Sequence, residues 1–200
     1  MPLIASRAGG SASSFGGLGA SSGVAFLGPF GAFEPITAIT VPSGGLATIT
    51  FNSIPSTYTH LQVRYIAKSG RVQNLAGNIV MRFNSSYGVR GHNLYGDGAD
   101  PFANSFVPAI GEFALAATGS TAGNTFGVGV IDILDYSNTN KNKTIKAMTG
   151  ADINGSGNIF FSSQLINSLT AISSITFETL DGGTNLQQYS SFALYGIKGN

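Results

Sequence analysis

Two histidines and scattered carboxylates are the side chains here with the chemistry for acid–base or metal work, because the chain has no cysteine. His92 lies in Gly91-His-Asn-Leu-Tyr-Gly-Asp-Gly98, close to Asp97 and Asp100. A lone histidine near aspartates lacks the ligand spacing of a zinc site. Calcium needs several converging oxygens, and Asp97-Gly-Ala-Asp100 is not followed by an EF-hand loop. The expected reading of His92, Tyr95 and Asp97 is a polar contact patch for a glycan or a protein partner. Asp132 and Asp135 form the other carboxylate pair, Asp132 being flanked by Ile131 and Ile133. A buried carboxylate needs partners or an altered pKa. Such a pair is either a glycosidase acid and nucleophile or a structural carboxylate pairing Arg64, Arg82 or Lys146. No phosphate-binding glycine loop, dinucleotide fingerprint or nucleophile elbow is present. These residues imply no catalytic centre, no metal and no cofactor.

The elements that would carry such residues are set by an unusual composition. The chain has 200 residues, enough for one ordinary domain with an appendage. Charged residues are 10%, against roughly 25% in typical soluble domains. Glycine numbers 28, phenylalanine 14 and tyrosine 7. This mixture suits short strands joined by Gly/Ser/Asn turns rather than helices. Ten basic and nine acidic residues nearly cancel, so no footprint for nucleic acid or an anionic membrane is expected. No apolar run is long enough for a transmembrane helix, and no signal-peptide pattern is read at the N-terminus. So little charge is a solubility risk for a free monomer and fits a surface covered by neighbours.

The leading segment stands apart. Residues 1–33 hold eight glycines and a single charged side chain, Arg7. They cannot bury enough surface to fold alone. Yet Leu3, Ile4, Phe15, Leu18, Val24, Phe26, Leu27, Phe30 and Phe33 punctuate them, which a plain flexible linker does not require. Residues 1–34 therefore read as an extended Gly/Ser-rich N-terminal arm that orders against another surface, with Leu3, Ile4, Phe15, Leu18, Phe26, Leu27, Phe30 and Phe33 as assembly anchors.

From residue 35 to residue 200 the pattern is strand and turn. Alternation predicts strands at His60–Ala67 and Asn78–Asn84, and the strand-and-turn pattern gives further strands at Ile36–Val41, Ala47–Phe51, His92–Tyr95, Thr144–Ala151, Asn158–Phe161, Ile172–Leu180 and Ser191–Ile197. Pro42-Ser-Gly-Gly45 is a turn signal. Ser105–Ala116 reads as a strand or an irregular crossing, and Ser163–Leu169 as a place for a helical turn. Thr125–Tyr136 is nearly continuous in apolar residues, which predicts a central strand covered on both faces. Many short strands without a long amphipathic helix predict an all-β fold, a jelly-roll-like β-sandwich over residues 35–200.

Three segments carry a resemblance. They are Ala47-Thr-Ile-Thr-Phe-Asn-Ser-Ile-Pro-Ser-Thr-Tyr-Thr-His-Leu-Gln-Val-Arg64, Phe126-Gly-Val-Gly-Val-Ile-Asp-Ile-Leu-Asp-Tyr-Ser-Asn-Thr-Asn-Lys141 and Tyr189-Ser-Ser-Phe-Ala-Leu-Tyr-Gly-Ile-Lys-Gly199. Together the trio resembles small virion structural proteins of tailed bacteriophages. That resemblance implies a virion component assembled in the host cytoplasm and brings no catalytic residues; the charge balance and hydropathy add the expectation of no nucleic-acid binding and no membrane insertion. Its implied role is a short tail fibre or tail-tip protein, with a capsid cement or decoration protein as the alternative. Its expected partners are itself, as a homotrimer, other virion proteins through the arm, and a host surface glycan.

Overall fold

A computed structural model describes residues 32–71, 77–86, 89–109, 111–116, 124–152, 157–180 and 183–199; for residues 77, 89, 106–109 and 111–116 only the backbone is described. Seven of the proposed arm anchors, Leu3, Ile4, Phe15, Leu18, Phe26, Leu27 and Phe30, lie outside these residues. The eighth, Phe33, opens the first strand.

The described residues form twelve strands: β1 (Phe33–Thr40), β2 (Thr48–Phe51), β3 (His60–Ala67), β4 (Gly77–Phe83), β5 (Val89–Gly96), β6 (Pro101–Ala109), β7 (Gly111–Ala116), β8 (Gly127–Leu134), β9 (Lys143–Asp152), β10 (Gly157–Ile166), β11 (Ile175–Thr179) and β12 (Ser191–Ile197). They form two antiparallel sheets, one of eight strands in the order β1-β12-β3-β8-β9-β10-β5-β6 and one of four in the order β2-β11-β4-β7. The all-β expectation holds, and the two sheets pack in a sandwich-like arrangement.

Period-two alternation explains the packing, because successive side chains point to opposite faces. Leu61, Val63, Tyr65, Ile131, Ile133, Ile145, Phe192 and Leu194 come from the large sheet. Ile49, Phe51, Ile79, Met81, Phe83, Ile175 and Phe177 come from the small one. All are buried in one core. Phe177 and Phe192 meet across the two sheets with ring centroids 5.0 Å apart. Phe51 packs edge-on to Phe177, and Tyr65 stacks on Phe192. The Pro42–Gly45 turn closes through the Gly45 N–H, which donates to Pro42 O at 3.2 Å, with φ positive at Gly44 and Gly45.

Two local expectations are corrected. Residues Ser163 to Ile166 are strand, not a helical turn, since β10 continues to Ile166. Its alternation is disguised: Ser162 and Gln164 are buried, while Phe161, Ser163 and Leu165 face outward. The second correction concerns β8. It is central in its sheet, but Val128 and Leu134 are exposed, so one of its faces is open rather than covered.

Candidate interaction surface

The open face belongs to the eight-stranded sheet, and register assembles it. Residues directly opposite on neighbouring strands share a face. One such row runs Thr40, Ser191, Ile66, Val128, Gly150, Ile159, Gly96 and Pro101 across all eight strands. The next outward row on that face contains Arg64, Val130, Met148, Phe161 and Leu94. Exposure is high where the rows are apolar: Ile159 61%, Met148 58%, Leu94 56% and Val128 52%. Ile66, Phe161, Leu165 and Leu134 add to them. Monomers rarely leave a contiguous apolar patch larger than a few hundred Å² in water. The five strands β3, β8, β9, β10 and β5 make a face on the order of 500 Å², polar belt included, from ~4.8 Å between strands and ~3.3 Å per residue.

A belt of polar side chains crosses this face. Arg64 Nε donates to Gln62 Oε1 at 2.7 Å, and Gln62 Nε2 donates to Asp132 Oδ1 at 2.7 Å. Lys146 stands opposite Asp132 in register and places its ammonium 5.4 Å from the Phe161 ring centre. The Arg64 guanidinium lies over the rings of Tyr195 and Phe33, at 5.6 and 6.0 Å. Asp132 therefore belongs to a surface hydrogen-bond chain. Asp135 is held separately in the turn after β8. Its N–H donates to His60 Nδ1 at 3.0 Å, and its carboxylate lies 2.5 Å from Lys141 Nζ. Each carboxylate has its own partners, which favours the structural reading of both. Arg82, the other candidate partner, pairs with Glu178 on the small sheet.

A shallow open groove of about 620 Å³ is cut into one end of the apolar face. Val128, Ile159, Gly150 and Phe126 supply apolar wall, while Asp97, Asp152 and Asn158 stand in its lining. Gly96 and Gly150 flank Ile159 in the row, and the missing side chains open the space. Asp97 is fixed by an Asx turn: its Oδ1 accepts the N–H of Ala99 at 3.0 Å and of Asp100 at 3.1 Å. The Asp100 and Ala99 N–H groups hold its carboxyl below the ordinary aspartate range.

The three predicted contact residues do not converge. His92 is exposed on the outward face of β5, opposite Ser163. Tyr95 is three residues on and points to the other face, where its ring stacks between Phe160 and Phe102 at 4.8 and 5.0 Å. Only Asp97 lines the groove. Among the described residues, no three His, Asp or Glu side chains gather as metal ligands would. Sequence reasoning missed Ile66, Val128, Met148, Ile159 and Phe161 as a group. The available signal was Met148 standing out of phase with buried Ile145 and Ala147.

The architecture defines a two-sheet all-β domain with one exposed apolar sheet face. No protein-family model, curated protein or solved structure matches the chain.

Proposed function

We propose that this chain is a structural subunit of a tailed-phage virion. In this reading it is a short tail fibre or tail-tip protein, held in the particle by its N-terminal arm and presenting a jelly-roll domain outward toward the host surface. The strand order is the observation that supports it. Taken without the hairpin β5–β6 and the pair β9–β10, the sheets read β1-β12-β3-β8 and β2-β11-β4-β7. Numbered one to eight, those strands run 1-8-3-6 and 2-7-4-5, the alternation that two Greek keys produce in a jelly roll. Virus capsids and lectins both use that architecture. β5, β6, β9 and β10 then extend one sheet past the jelly roll and enlarge its outer face. The step from fold to role is an analogy; the three resembling segments supply the phage context.

An uncovered apolar face on a charge-poor chain suits a subunit that meets neighbours. It does not suit a freely diffusing catalyst, and the carboxylates of Asp97, Asp132 and Asp135 are each engaged in a structural contact. The test is copy number per particle, measured against the major capsid protein in purified virions, combined with antibody labelling. Low copy number with label at the tail supports the tail reading. Near-stoichiometric copies on the head would replace it with the cement or decoration reading. Absence from purified particles would overturn both.

A further inference from the structure

The outer face of the eight-stranded sheet is apolar and exposed, and the chain carries a segment of matching chemistry. We infer that residues 1–32 of a neighbouring copy dock along this face, with an aromatic or leucine side chain of the arm seated in the groove between Val128, Gly150 and Ile159. The inference rests on the proposed role as a multi-copy building block and adds to it the surface that receives the arm.

Three observations argue for this occupant. First, chemistry: the arm carries one charge, Arg7, and alternates large apolar residues with glycine and serine. Glycine lets a backbone lie close to a sheet face, so Phe15, Leu18, Phe26 or Phe30 can reach into a groove about 620 Å³ in size. Second, shape: the face is indented at Gly96 and Gly150, so it takes protruding side chains. Third, placement: β1 begins at Phe33, whose row pairs with Ile197 and His60. The groove row meets β1 at Thr40, the other end of that strand, and the groove lies three to five strands away. The arm thus leaves from the far corner, about 30 Å from the groove by strand and residue spacings. Extended, its residues span about 100 Å, several times the reach across its own sheet. That length reaches a neighbour's face as well, in a head-to-tail contact.

The absence of cysteine makes the test direct. Full-length chains are prepared carrying Ile159→Cys alone, or one of Phe15→Cys, Leu18→Cys and Phe26→Cys alone. A face variant is mixed with an arm variant under mild oxidation, and products are resolved on non-reducing gels and mapped by mass spectrometry. The expected result is a disulfide joining arm to face between two chains, with at least one arm position several-fold more efficient than the others. A chain bearing both cysteines should give intermolecular ladders. Light scattering should show the full-length protein as an oligomer that falls to its 20.5 kDa monomer mass in the exposed-face variant Val128→Lys/Ile159→Glu. Three results overturn the inference: cross-links within a single chain, efficient dimers from Ile159→Cys alone, or a wild-type monomer without arm–face cross-links. If virions nevertheless contain the protein, the structural role stands and only the docking surface is lost.

Discussion

Tyr65 on β3 lies across Gly129 on β8, its direct cross-strand partner, so closely that a Cβ on Gly129 would overlap the phenol ring. The glycine is the space into which the ring folds, and the ring in turn stacks on Phe192 at 5.4 Å. Gly129→Ala should therefore destabilise the protein by about 1–3 kcal/mol, the usual cost of overpacking. For a chain of this size that is a fall in Tm of several degrees, at roughly 2–4 °C per kcal/mol. Combining Gly129→Ala with Tyr65→Leu should cost less than the sum of the two single changes, because the second removes the clash made by the first. Additive losses in thermal melts would contradict this contact.

Lys143 is a second buried feature, fully enclosed at the start of β9, with its ammonium donating to Ser168 O at 3.0 Å. Burial holds its pKa below the ordinary lysine value of 10.5. As pH rises through the depressed folded value, the folded chain sheds this proton before the unfolded chain does. The unfolded state then binds more protons, so stability increases with pH up to about 10.5. Lys143→Met lacks that increase. Wild type should gain on the variant as pH is raised from 7 toward 10.5 in denaturant titrations. At pH 7 the variant should be neutral to more stable, since removing a desolvated charge offsets one hydrogen bond of about 1 kcal/mol. Parallel pH profiles for the two proteins would reject the argument.

Much of this frame is legible in the alternation of single strands. His60–Ala67 and Ser191–Ile197 are strands at the expected bounds; in the first, apolar Leu61, Val63 and Tyr65 alternate with polar Gln62 and Arg64. β10 hid its character, since its buried positions include Ser162 and Gln164 while Phe161 and Leu165 point to solvent. β8 misled for a related reason. Its outward Val128 looks like core from sequence, whereas it belongs to a surface shared with β9 and β10. That surface is a property of register: Ile66, Val128 and Ile159 are far apart in the chain and meet only when β3, β8, β9 and β10 align. His92 and Tyr95 show the converse, near in sequence yet on opposite faces of β5.

Asp97 offers a pH test at the groove. The N–H groups of Asp100 and Ala99 stabilise its ionised form and lower its pKa from 3.8. The stabilisation is present above that ordinary value and is lost as pH falls through the depressed folded value. In an NMR titration the Asp97 carboxyl should show a midpoint below 3.8, and the Ala99 and Asp100 amides should shift with the same midpoint. Asp97→Asn keeps an oxygen acceptor and should preserve the amide positions of the turn, whereas Asp97→Ala should displace them. An ordinary midpoint with unmoved amides would show that the Asx turn does not form in solution.

The hairpin β5–β6 at the free edge of the large sheet is held differently from the rest. Among the described residues, none of its side chains belongs to the buried core cluster. Among the described side chains, the three-ring stack of Phe160, Tyr95 and Phe102, directly opposite one another in register, fastens it beside the ladder hydrogen bonds. Tyr95→Ala removes the middle ring, a loss of roughly 2 kcal/mol for a half-buried aromatic, below the 3–5 of a fully buried one. Because the hairpin lies outside the core, the loss should appear as local opening rather than global unfolding. Hydrogen exchange at Leu94 and Ala103 should then quicken by roughly 30-fold, the factor that 2 kcal/mol sets, while Val63 and Leu194 in the core stay protected. Tyr95→Phe keeps the ring and should leave all four amides near their wild-type rates. Equal acceleration at all four in Tyr95→Ala would mean that hairpin and core open as one unit, and that the extension is part of the cooperative fold rather than an addition to it.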